Sequence, residues 1–149
     1  LVHLHRGYVV DTTRMFVAGS LSKEWEERLE DMVAVKDVVV DVLDQGLDCS
    51  EAWRQGHSLA VELGHSDHLM GMAPDQSKFL GHSVGLQLDE SPVVAEGFDR
   101  PLPIGGTMAI EPKVVHTEGS IGSEDTWTRD EEGMRPITAD GAIPWVTEW

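Results

Sequence analysis

The sequence predicts an α+β domain, and three observations predict it. A run of β-branched and aromatic residues, "GYVVDTTRMFV" at 7–17, stands near the beginning. Two stretches with helical periodicity follow. After them come several short runs of strand formers, divided by turns that carry Gly and Pro. A strand, two helices and then a series of strands segregates the element types along the chain, unlike the alternation of a parallel α/β sheet.

Each element has its own justification. Gly7 to Val17 reads as a strand, broken by Gly19 and Ser20. Ser22 offers an N-cap, and Glu24, Glu26 and Glu27 suit the positive end of a helix. Trp25, Leu29, Met32, Val33, Val35, Val39 and Val42 recur at near-helical spacing as far as "DQG" at 44–46, where Gly46 can end the helix. The valines between 38 and 42 oppose a helix by propensity, but spacing and length favour one. Asp48 and Glu51 are spaced as a capping box for a second helix that runs to about Leu63, with Gly64 as its stop. His65 to Lys78 is loop-like, with Gly71, Pro74 and Asp75. Strands are expected around 80–88, 107–115, 120–129 and 135–138. A long Pro/Gly loop fills 90–106, and "RDEEGM" at 129–134 ends in a hairpin turn. With 149 residues, no internal repeat and no linker, one domain is expected.

Composition narrows the function. Apolar residues make up 40% and charged residues 26%, enough for a packed core. The formal net charge of −16 argues against nucleic acid or an anionic membrane as a partner, since both need a positive face. The one cysteine, Cys49, allows no intrachain disulfide and fits a reducing cytoplasm. No apolar run approaches the roughly 20 residues of a membrane span. The opening "LVHLHRGYVVD" lacks the pattern of a signal peptide and reads as the inside of a strand.

Four metal-capable side chains sit among strand formers. Asp11 follows "YVV", His82 lies in "GHSVGL", Glu111 in "MAIEP" and Glu124 in "GSEDTW". A carboxylate in such a setting must be neutralised, paired or placed on a metal. One imidazole and three carboxylates make a hard site suited to Mn²⁺, Co²⁺ or Fe²⁺, alone or as a pair, more than a thiolate-type zinc site. Taken singly, each of the four is more often a solvated or ion-paired group.

The stretches "GYVVDTTRMFVAG", "FLGHSVGLQLDE", "GTMAIEP" and "GSEDTW" resemble, in order and approximate separation, the M24 metallopeptidase family. That family includes Xaa-Pro dipeptidases, Xaa-Pro aminopeptidases and methionine aminopeptidases, with creatinase as a relative. The resemblance implies the pita-bread fold, a curved antiparallel sheet backed by helices. It implies a site for two divalent ions (Mn, Co, Fe or Zn) on five ligands, four of which match Asp11, His82, Glu111 and Glu124. By the same resemblance Asp11 and Glu124 bridge the two ions, His82 and Glu111 serve one of them, and Glu111 passes the proton between attacking water and leaving amine.

Three departures accompany the match. The fifth ligand, an Asp, aligns immediately before Leu1, so the chain is expected to be the C-terminal portion of a longer catalytic domain. It would then hold at most one ion, be inactive alone, and have the missing N-terminal part as a partner. The family's second histidine, seven residues after the ligand His, is Asp89 here, followed by Glu90. Asp89 therefore joins Glu111 and His82 as a candidate catalytic residue, and substrate handling differs from a usual prolidase. An Arg that many proline-specific members carry two residues before the last Glu is Gly122 here.

The expected activity is a metal-dependent exopeptidase acting near the N-terminus of a short peptide, Xaa-Pro-like in its substrates, with a homodimer left open. Two rivals stand beside it: a catalytically inactive pita-bread module that binds peptides, and a creatinase-like hydrolase that uses no metal. Among other residues, His65 and His68 are solvated loop groups or pocket lining, and His57 is a surface residue of the second helix. His3 and His5 alternate on the first strand, lining a pocket or lying at an exposed edge, and His116 faces cleft or solvent. Trp25, Trp53, Trp127, Trp145 and Trp149 are packing groups, and Asp125 and Thr126 support the strand of Glu124.

Overall fold

A computed structural model gives the fold and describes residues 1–17 and 19–138, with the backbone alone of 146–148. Trp145 and Trp149 lie outside the described residues. The chain opens with an antiparallel hairpin, β1 (Val2–His5) and β2 (Tyr8–Asp11). Arg6 and Gly7 both take positive φ, 52° and 88°, the mirror-image turn whose twist suits a two-residue hairpin. The predicted strand at 7–17 is thus two strands: β3 (Met15–Val17) is separate and pairs in parallel with β11 (Val146–Glu148). The interruption lies where Thr12, Thr13 and Arg14 turn their side chains to the far end of the chain.

Helices α1 (Lys23–Asp44) and α2 (Cys49–Glu62) follow. In α1 the valines are helical because Met32, Val35, Val39, Val42 and Leu43 form one buried stripe, and burial outweighs the small propensity penalty. Gly46 at φ +73° and Gly64 at φ +89° follow the helix ends as left-handed stops. The expected capping box does not form. Asp48 occupies the N-cap position without a side-chain cap bond, and Glu51 turns to Arg54 and Gln55 instead. Helix α2 packs tightly at Gly56, where a Cβ would come within 2.8 Å of Leu80 and Val39.

The main sheet has five antiparallel strands in the order β10-β9-β6-β4-β5. These are β4 (Phe79–Ser83), β5 (Glu90–Ala95), β6 (Thr107–Ile110), β9 (Asp125–Asp130) and β10 (Gly133–Pro136). A smaller hairpin joins β7 (Lys113–His116) to β8 (Gly119–Gly122). Leu80, Val94, Met108 and Ile110 of the main sheet meet the apolar stripe of α1 and Ala52 and Ala60 of α2 in a single core.

Four further segments differ from the expectation. The predicted loop at 90–106 contains β5, which tolerates Pro92 because it is an edge strand needing no N–H on its outer side. The predicted strand at 80–88 ends at Ser83. The predicted strands at 107–115 and 120–129 are each split in two, one at Glu111-Pro112 and the other at Ser123-Glu124. Proline supplies no N–H for a ladder, and Glu124 is drawn out of its ladder by a bridge to Thr13.

Candidate metal centre

Three of the four candidate ligands stand at strand ends, and His82 stands within β4. Asp11 ends β2, and its backbone is clasped on both sides by Thr126: Asp11 N–H donates to Thr126 Oγ1 at 3.0 Å, and that hydroxyl donates to the Asp11 carbonyl at 2.8 Å. His82 sits beside a register shift in β4. The preceding Gly81 is pressed against the Ala109 carbonyl, where no Cβ fits. Glu111 leaves β6 with its N–H on the Leu80 carbonyl at 2.8 Å. Glu124 lies between β8 and β9, and the Thr13 N–H donates to its carbonyl at 3.2 Å.

Asp11, His82 and Glu124 are all buried, and each can place a ligand atom within 4.8 Å of the other two. Glu111 joins them through His82, whose Nε2 lies 3.4 Å from Glu111 Oε1. The other oxygen of Glu111 accepts from Lys113 Nζ at 2.7 Å. Burial pulls the His82 imidazolium down, but Glu111, the Ser83 carbonyl and Asp89 overcome it and raise its pKa to about 9. Burial raises Glu111 as well, yet His82 and Lys113 hold it below the usual carboxylate range. Glu124 is the contrary case. Burial pushes it up, the charges of Asp11 and Glu111 add to that, and the hydrogen bond from the Thr13 hydroxyl only partly compensates.

This donor set fits a divalent cation. An imidazole and oxygen donors converge in a buried place, and burial, with the charges of Asp11 and Glu111 added to it, disfavours ionisation of Glu124. A dication relieves such crowding and restores the charged form.

Beneath the cluster lies a second charged group. Asp125 is fully buried; its Oδ1 accepts from Arg14 Nη2 and its Oδ2 from Lys36 Nζ, each at 2.8 Å. Arg14 also donates to the Glu124 carbonyl at 2.9 Å and to Thr12 Oγ1 at 2.6 Å. Lys36 reaches up from α1 to donate to Ser123 Oγ at 2.8 Å. The residues on both sides of Glu124 are therefore pinned to a helix and to the β2–β3 connection.

Comparison with known proteins gives the family and the fold. The profile described as "Metallopeptidase family M24" matches residues 1–131. The chain belongs to the metallopeptidase family M24. It is 26% identical over 136 residues to the Xaa-Pro dipeptidase of Pyrococcus furiosus, covering 91% of this chain and 37% of that protein. It is 24% identical to the Xaa-Pro dipeptidase of Lactobacillus delbrueckii subsp. lactis, over 91% of this chain and 35% of that one. The crystal structure of an X-Pro aminopeptidase from Thermotoga maritima superposes with a TM-score of 0.85 at 20% identity, over 99% of this chain and 40% of the other. The fold is the pita-bread fold, and this sequence spans a little over a third of the length of the curated relatives it matches.

Against the M24 pattern the remaining residues take definite places. Asp89 is largely exposed and stands 3.5 Å from His82 Nδ1, the ring nitrogen turned away from Glu111. Gly122 pairs across the β7–β8 ladder with Lys113. His65 is no solvated loop group: it is buried, with Nε2 2.7 Å from Asp31 of α1. His68 places Nδ1 2.9 Å from the Val115 carbonyl and stacks on His116 at 3.8 Å, with Trp25 at the edge of His116. His57 is half-buried against Trp53, and His3 and His5 lie on the exposed face of β1. Trp25, Trp53 and Trp127 pack on the core. An open groove of about 800 Å³ beside α2 holds none of the candidate ligands. Among the described residues no helix is long and apolar enough to cross a membrane.

Sequence reasoning missed Arg14, Lys36, Thr13 and Lys113. Arg14 and Thr13 were visible as part of "DTTR", directly after a candidate ligand. Lys36 carried no local signal, because its partners are 87 and 89 residues away.

Proposed function

We propose that this chain is the C-terminal portion of the catalytic domain of a metal-dependent exopeptidase that cleaves dipeptides or short peptides near their N-terminus. The observation that carries the reading is the convergence of the buried Asp11, His82 and Glu124, with Glu111 against His82. These four would hold Mn²⁺, Co²⁺ or a similar ion, or a pair of such ions. Such an ion, when bound, polarises a peptide carbonyl and lowers the pKa of water. Glu111 does the proton work. It is ionised, half-buried and one residue from a strand end, so it can take a proton from water and return it to the leaving amine. Asp89 acts through His82: its carboxylate, 3.5 Å from Nδ1, joins the Ser83 carbonyl, 3.3 Å from the same nitrogen, in orienting the ring so that Nε2 faces the cluster.

The test uses the full-length protein. Hydrolysis of Xaa-Pro and other dipeptides should require added Mn²⁺ or Co²⁺, and Glu111→Ala should lower kcat by at least about a hundredfold. Full activity in excess chelator would favour a creatinase-like reaction without metal. Inertness toward a dipeptide library with metal bound would favour a peptide-binding module.

A further inference from the structure

The β7–β8 hairpin joins Glu111 to Glu124: one acid stands two residues before β7 and the other two residues after β8. How the hairpin is held therefore bears on both candidate ligands. Its outer edge is fastened to the loop after α2. Met70 N–H donates to the Lys113 carbonyl at 2.8 Å, Val115 N–H donates to the His68 carbonyl at 2.9 Å, and His68 Nδ1 lies 2.9 Å from the Val115 carbonyl. A carbonyl can only accept, so Nδ1 of His68 carries a proton. The next residue of β7, His116, lays its ring on that of His68, with centroids 3.8 Å apart and planes 20° from parallel. Trp25 of α1 closes the stack edge-on at 5.7 Å, and Arg28 sits over the Trp25 ring at 4.5 Å.

We propose that the His68–His116 stack is a pH-sensitive latch: neutral rings hold the β7–β8 hairpin against the loop, and a proton on His116 parts them and loosens the hairpin that carries Glu111 and Glu124 at its roots. The inference is independent of the peptidase reading. The surroundings of His116 oppose a proton. Its Nε2 is shut off from solvent and has no hydrogen-bond partner among the described residues, so the doubly protonated ring would keep a buried donor without an acceptor. The charged and titratable groups facing His116 are Arg28 from α1, His68 and His65 from the loop, and Glu118 from the turn of its own hairpin. Three of these four are bases. Asp31 of α1, an acid on this side, is taken by His65 Nε2 at 2.7 Å. The Glu118 carboxylate is engaged by its own N–H and by the Thr117 hydroxyl. Burial first, then Arg28 and His68, hold the His116 pKa below 6.5, with Glu118 opposing. The open hairpin therefore takes up a proton more readily than the latched one. The latch is at full strength above pH 6.5 and weakens as pH falls below that value. His116 lies five residues from Glu111 and eight from Glu124, so it acts on them through the hairpin backbone.

Hydrogen exchange of the full-length, metal-free protein at pH 5.5 and 7.5, corrected for the intrinsic pH dependence of exchange, tests this without reference to activity. Protection of the Val115 and Met70 amides should fall roughly 5- to 100-fold at the lower pH, the range that one unsatisfied buried donor covers. The amides of α1 should not change. His116→Phe keeps an aromatic ring on His68 but has no proton to take, so its hairpin protection should be the same at both pH values. An NMR titration of the wild type, which needs no variant, should show the His116 ring titrating below 6.5 in step with the loss of protection. Mn²⁺ should also bind His116→Phe more tightly than the wild type at pH 5.5 and equally at pH 7.5; the candidate ligands are the same in both, so their own protonation cancels. Wild-type protection that does not change with pH, or that changes as much in His116→Phe, would overturn the latch. A His116 ring that titrates at or above 6.5 would overturn it too. Equal Mn²⁺ affinity of the two proteins at pH 5.5 would overturn its reach to Glu111 and Glu124.

Discussion

Glu124 and Asp125 are neighbours in sequence and opposites in circumstance. Asp125 points into the floor, fully buried, with each carboxylate oxygen matched to a cation, Arg14 on one side and Lys36 on the other. Glu124 points into the cleft, is nearly as buried, and meets a hydroxyl and two more acids. A buried charge with a full set of partners is a fastening. A buried carboxylate crowded by other acids is the arrangement that a divalent cation would relieve. Strand β9 begins at the boundary between these two regions, so the fastening holds Glu124 in place.

The sharpest way to break the contrast is to remove the floor. Asp125→Ala leaves the Arg14 and Lys36 charges in the interior without it, and the cost should be about 3–5 kcal/mol of folding stability. Urea denaturation of the metal-free chain at neutral pH measures it. A loss below about 1 kcal/mol would mean the floor is no fastening at all.

A second prediction concerns pH and the cleft itself. In the metal-free chain the His82 pKa is raised from 6.5 to about 9. A raised pKa on a cationic acid stabilises the fold fully below the unfolded value and loses that contribution as pH rises through the folded one. Metal-free stability should therefore fall by roughly 1–3 kcal/mol between pH 6.5 and 9. His82→Gln should flatten that slope, whereas Asp125→Asn should leave it in place. Melting temperatures across this range would show it, and an unchanged slope in His82→Gln would place the titrating group elsewhere.

Much of this architecture was legible in the sequence, and what was not has physical causes. Periodicity identified α1 through its valines because the buried stripe is long and regular. Glycines 46 and 64 marked the helix ends because the left-handed conformation selects them. The four candidate ligands stood out as charges among strand formers. The strand ends beside three of them did not, since residue types favour a strand on each side and only the fold shows where the ladder stops. Strand β5 was hidden by Pro92, which is harmless only at a sheet edge. The floor was half visible: Asp125 adjoins a candidate ligand, but Lys36 looks like any polar residue of a helix until topology brings α1 beneath Ser123 and Asp125.

The central claim is that the negative excess around Glu124 exists to hold a divalent cation, and calorimetric titration of the metal-free chain with Mn²⁺ tests it most directly. The wild type should bind a single ion per chain. Glu124→Gln, which keeps the Thr13 hydrogen bond but removes one of the crowded charges, should bind none while unfolding at an equal or higher urea concentration. Mn²⁺ binding to Glu124→Gln as tight as to the wild type, or no saturable binding to either, would contradict the claim.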